Sequence, residues 1–66
     1  RKGARLEYYW NEEWGWSEGE VVEDPVMVVN ELLLTVQFDQ DEDGTVQRLP
    51  FTPDDKVRWR PPQLKD

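Results

Sequence analysis

The chain contains no cysteine and no histidine, and its single serine is Ser17. Those absences exclude disulfide staples, thiolate metal sites, imidazole acid–base chemistry and every Cys–His or Ser–His nucleophile pair. Long apolar runs are missing too, and nothing approaches the roughly 18 residues that span a bilayer. No signal-peptide pattern opens the sequence, which begins at Arg1; a soluble intracellular module cut from a longer protein is the expectation. Cations are also scarce where they would matter most. From Leu6 to Gln47 there is no lysine or arginine, while twelve acids fall in the same forty-two residues.

What is present is acid and aromatic. Fifteen acids against eight bases give a net charge of −7 over 66 residues. A one-signed acidic block attracts cationic partners and repels nucleic acid phosphate, so direct nucleic-acid binding is not expected. The same acids also keep a small domain soluble. Four tryptophans, two tyrosines and two phenylalanines stand against the polar composition. Rings bury about 150–250 Å² each, enough for a few of them to close a small core. One marginally stable domain is expected.

The segments read as short strands. Leu6 to Trp10 and Glu18 to Glu23 favour extended backbone, with a turn at Asn11-Glu12-Glu13 and a bend at Asp24-Pro25. Val26 to Val29 and Leu32 to Phe38 form a hairpin pattern around Asn30-Glu31. Leu32, Leu34, Val36 and Phe38 share one face of that second run, the period of a half-buried strand. Thr45 to Phe51 and Val57 to Arg60 are the last strand candidates. Between them Thr52-Pro53-Asp54-Asp55 carries the N-cap and first-position proline of a single helical turn. Pro61-Pro62 ends the domain. The fold expected is all-β: a small SH3-like (Tudor-like) five-stranded barrel spanning 5–62, with one short helical turn before the last strand. Residues 1–4 and 63–66 are expected as flanking tails.

Two short constellations suggest chemistry. Asp39, Asp41, Asp43, Gly44 and Val46 match the first half of a calcium-binding EF-hand loop, but Pro50 stands where the bidentate glutamate is required. An acidic hairpin tip is the better reading, and no metal or cofactor is expected. A glycosidase-like carboxylate pair needs a cleft that desolvates one acid, which so short a chain does not offer. No enzymatic activity is expected.

The stronger pattern is aromatic. Trp16, Gly19 and Val21, then Phe38 and Gly44, then Arg60-Pro61-Pro62, resemble the motifs of Tudor and Agenet domains, the chromatin-reading Royal family. The resemblance runs from Leu6 to Pro62. It implies an aromatic cage for methyl-lysine or methyl-arginine in a histone-like tail, and a nuclear address. By matching, it implies Trp10, Trp16 and Phe38 as cage walls and Asp39 or Asp41 as the anion. Asp41 stands where the family often has a further aromatic, so Trp14 or Tyr9 would supply that wall. Trp14 and Trp16 flank Gly15 among acids, a setting for exposed contact rings. Trp59 and Phe51 read as core. The competing reading is an acidic docking domain that holds a basic protein surface without a cage.

Overall fold

A computed structural model describes residues 1–51 and 58–64. The described chain is all-β, with six antiparallel strands: β1 (Arg5–Tyr9), β2 (Trp16–Val21), β3 (Val26–Val28), β4 (Glu31–Phe38), β5 (Gln47–Phe51) and β6 (Trp59–Arg60). No helix is present among the described residues, and none is long and apolar enough to cross a membrane. The helical turn expected at Thr52 to Asp55 lies outside the described residues. The strands pair in the order β3-β4-β2-β1-β6, and β5 also pairs with β4.

The long apolar strand β4 organises the sheet. Its first half pairs with β3, as Val26↔Leu33, and its second half with β2, as Val21↔Val36. Five steps along the β2–β3 segment therefore match three steps along β4. The two extra residues are accommodated at Val22–Pro25, where proline removes a ladder donor and the edge bends. The expected bent second strand thus becomes two strands, and the count rises from five to six. β1 pairs on one side with β2 and on the other with β6.

No ladder joins β5 to β6 among the described residues. Their meeting is made by side chains: the Trp59 Nε1–H donates to the Pro50 carbonyl at 3.2 Å, and the Phe51 and Trp59 rings lie 5.8 Å apart. The expected tails also grip the sheet. Gly3 N–H donates to the Val21 carbonyl, Val21 N–H donates to the Ala4 carbonyl, and Gln63 N–H donates to Glu7.

Val21, Leu34, Val36, Phe38 and Trp59 form the buried core, flanked by Leu6, Tyr8, Trp10, Leu49 and Phe51. Period-two alternation on β4 sends Leu34, Val36 and Phe38 inward as expected, with Leu32 half-buried at the end. Gly19 lies between Leu6 of β1 and Phe38 of β4. A Cβ there would sit 2.7 Å from the Gln37 carbonyl oxygen, 2.8 Å from Val36 Cγ1 and 3.0 Å from Phe38 Cα. Backbone cannot retreat as a flexible side chain can. Gly19→Ala should therefore cost about 1–3 kcal/mol by overpacking, read as a fall in the urea midpoint. An unchanged midpoint would show that the strands separate freely at this point.

The β3–β4 hairpin closes one residue earlier than its sequence suggests. Val28 pairs with Glu31, so Val29-Asn30 is the two-residue loop and Glu31 begins β4. Both loop residues are left-handed, with φ of 50° and 65°, the backbone of a primed hairpin turn. Asparagine adopts that region readily; a β-branched residue such as Val29 is strained there. Val29→Asn is expected to raise stability by about 1 kcal/mol, measured by thermal melting. A lower midpoint would show that Val29 gives more through contact than it loses in strain.

Candidate functional site

Cross-strand partners share a sheet face, and the register of the β1–β2 hairpin divides the aromatics between two faces. Tyr9 pairs with Trp16, Glu7 with Glu18 and with Arg60, and Arg5 with Glu20. That set is outward. Leu6 pairs with Gly19, and Tyr8 pairs with Ser17 and with Trp59. That set is inward, and Trp10 joins it: its ring meets Tyr8 at 4.9 Å and Phe38 at 5.2 Å. Trp10 and Trp16 consequently stand on opposite faces, and the three rings expected as cage walls do not converge.

Phe38 has 0% exposure and is wholly core, so it presents no ring face to a guest. This corrects its expected role as a cage wall. The residue is in phase with Leu34 and Val36 on β4, and burial of that face carries it inside. Trp16 also departs from the expected role, because an internal cation covers its ring. The Arg60 guanidinium carbon lies 3.9 Å from the ring centroid, and Tyr9 packs beside it at 5.4 Å. Arg60 Nε donates to Glu7 at 2.7 Å, and Glu7 is 5% exposed. The stack is cation–π attraction oriented by a buried carboxylate.

Trp14 behaves as expected of an exposed ring. Asn11 organises the loop that carries it: Trp14 N–H donates to Asn11 Oδ1 at 2.9 Å, and Gly15 N–H donates to the Asn11 carbonyl at 2.7 Å. Gly15 takes φ of 65°, a left-handed value that turns the chain back into β2. The result leaves Trp14 68% exposed. Trp10, at the base of the same loop, is steadied by its N–H donating to the Gly15 carbonyl and by Arg58 donating to the Trp10 and Tyr9 carbonyls.

Trp10 and Trp14 line an open groove of about 250 Å³ with Gln40, Asp41 and Gln47. Gln40 is held through its Oε1, which accepts a hydrogen bond from the Ser17 hydroxyl at 2.9 Å. Asp41 is placed by its N–H donating to the Phe38 carbonyl. The groove therefore has two indoles, a carboxylate and two amides. The Trp10 indole N–H is buried with no partner among the described residues, a donor whose desolvation is uncompensated.

Beside it lies a second hollow of about 270 Å³, whose lining includes Arg5, Glu20, Asp39, Asp41 and Glu42. Arg5 is committed to Glu18 and Asp39, with Glu20 at 3.9 Å. Donating hydrogen bonds to Asp39 and then to Glu18 raises the Arg5 pKa further above its ordinary value. Asp39 is thus spent on an internal cation, and Asp41 borders both hollows. Further along the loop, Asp43 accepts the Thr45 N–H at 2.9 Å, which lowers its carboxyl pKa below the ordinary 3.8. No cluster of three or more metal-ligating side chains forms among the described residues.

Of the six residues expected at the site, Trp10, Trp14 and Asp41 come together, while Phe38, Trp16 and Asp39 are occupied elsewhere. Gln40, Gln47 and Ser17 escape a sequence reading because two uncharged amides and a hydroxyl carry no motif. Glu7 and Arg60 carry a weak signal, opposite charges on the first and last strands of a chain whose ends must pair. No protein-family model, curated protein or solved structure matches the chain.

Proposed function

We propose that the chain is a non-catalytic binding module, an SH3-like barrel of Tudor-like type, that takes a basic side chain between Trp10 and Trp14. The observation carrying this reading is Trp14: a large ring, 68% exposed, beside a second indole and a carboxylate. What matters is the company the ring keeps: an indole face next to a second indole and a carboxylate is suited to a cationic side chain. The barrel reading draws on the strand sequence, with a bent second strand and a last strand returning to β1.

A methylated ammonium keeps its charge and sheds hydration, so ring faces attract it by about 0.5–2 kcal/mol per contact. Asp41 adds Coulomb attraction, and the acidic stretch steers a basic peptide of the histone-tail kind toward the groove. Two rings rather than three form the recess, so a modest affinity follows. The internal Arg60–Trp16 stack uses the same physics within the fold. A nuclear chromatin setting belongs to this proposal.

The test is titration of lysine-bearing basic peptides, unmethylated and trimethylated, against wild type and Trp14→Ala. Wild type should prefer the methylated peptide, and Trp14→Ala should lose about 2- to 30-fold, the equivalent of one ring contact. The variant should melt close to wild type, since the ring it removes is mostly exposed. Equal, negligible binding in all four combinations ends the cage reading.

An acidic docking domain is the second reading, favoured by the hollow whose lining includes four acids, Glu20, Asp39, Asp41 and Glu42, against one cation, Arg5. Salt separates the two. A surface held by charge weakens steeply between low and physiological salt, where the screening length falls to about 8 Å; a ring recess keeps more of its affinity.

A further inference from the structure

The hairpin edge at β3 carries four consecutive exposed apolar side chains. Val26, Met27, Val28 and Val29 are 53%, 62%, 46% and 92% exposed. β3 ends the strand order and is paired only with β4 among the described residues. Sheet edges in soluble proteins are ordinarily blunted by charge, proline or cover. Here no charged residue interrupts Val26 to Asn30, although acids frame the strip: Glu23 and Asp24 before it, Glu31 after it. Val26 and Val28 also line a shallow groove of about 110 Å³ with Leu33, Thr35 and Arg48. The one cation there, Arg48, faces Glu23 at 3.9 Å.

We propose that β3 is a docking edge for an extended segment of a partner protein, apolar in the middle and carrying lysine or arginine at its flanks. Closure of the hairpin at Val28↔Glu31 makes that pair the hydrogen-bonded one, and alternation then turns the Met27 N–H and C=O outward. An added strand meets those groups with its own main chain, and its apolar side chains cover Val26 and Val28. The acids at both ends of the strip select cationic flanks.

A second copy is the poorer occupant. Antiparallel self-pairing centred on Met27 sets Glu23 against Glu31 at both ends, between chains that each carry −7. Like charges directly opposite destabilise a strand pair. This surface is separate from the Trp10–Trp14 groove, and its proposal stands without that reading.

The experiment uses the full chain and two labelled synthetic peptides with the same alternating valine–threonine centre. One is flanked by lysine pairs, the other by glutamate pairs. Fluorescence anisotropy should give at least about tenfold tighter binding to the lysine-flanked peptide, and Met27→Lys should weaken it by about tenfold or more, comparable to losing one buried apolar side chain plus adding repulsion. Trp14→Ala should leave it unchanged, and bound peptide should slow amide hydrogen exchange at Met27. Equal affinity for both peptides would overturn the proposal. So would binding that survives Met27→Lys and disappears in Trp14→Ala, which would assign the peptide to the aromatic groove. Sedimentation showing dimers that Met27→Lys dissolves would give the edge to a second copy and likewise overturn the assignment.

Discussion

Phe38→Ala is expected to leave the chain largely unfolded at room temperature. The ring has no exposed surface and packs against Trp10 at 5.2 Å and Tyr8 at 6.4 Å. Truncating a buried phenylalanine costs about 3–5 kcal/mol, because the lost transfer energy adds to the cavity left behind. The residue across the ladder is Gly19, which has no side chain to collapse into the space. A 66-residue domain holds roughly 3–10 kcal/mol in total, so a loss of that size removes most of it. Circular dichroism and a urea titration of the variant check this directly. A folded Phe38→Ala protein that had lost only peptide binding would restore Phe38 to the cage wall suggested by its motif. The contrast with Trp14→Ala, where binding should fall while folding persists, separates the ring that supports the sheet from the ring that meets the partner.

Trp59→Ala should be comparably damaging, for a different reason. Trp59 is 7% exposed, its ring lies 4.6 Å from Tyr8 and 5.8 Å from Phe51, and its indole N–H donates to Pro50. It binds β6 to β5 where no described ladder does so. The expected loss is about 3–5 kcal/mol. Trp59→Phe should recover much of the packing yet still lose about 1 kcal/mol for the missing hydrogen bond. Hydrogen exchange at Arg48, Leu49 and Phe51 should accelerate in both variants, more in the alanine one. Unaltered exchange there, with an unaltered midpoint, would show that β5 is held by β4 alone.

These two tryptophan and phenylalanine effects bear on why the candidate site was only half legible beforehand. The strands were readable because alternation on Leu32 to Phe38 has a period of two and little else competes with it. The bend at Asp24-Pro25 was readable because proline lacks an N–H. The position of the hairpin loop was not: Val29 is a poor candidate for a left-handed backbone, and only pairing of Val28 with Glu31 forces it there. Nor was the fate of the rings. A hairpin of unknown register gives no parity between Trp10 and Trp16, and a shift of one residue exchanges faces. Once Tyr9 pairs with Trp16, Trp10 goes inward, Trp16 goes outward, and no arrangement of loops reunites them.

Composition and local pattern alone determined that this is an acidic, aromatic-rich β protein without thiol or imidazole chemistry, since those properties belong to residue types and to the two-residue repeat. Which indole is core, which lies under Arg60 and which faces water was decided by the tertiary structure. That choice depends on strand register and on a cation brought from the far end of the chain, and neither is encoded within reach of a single segment.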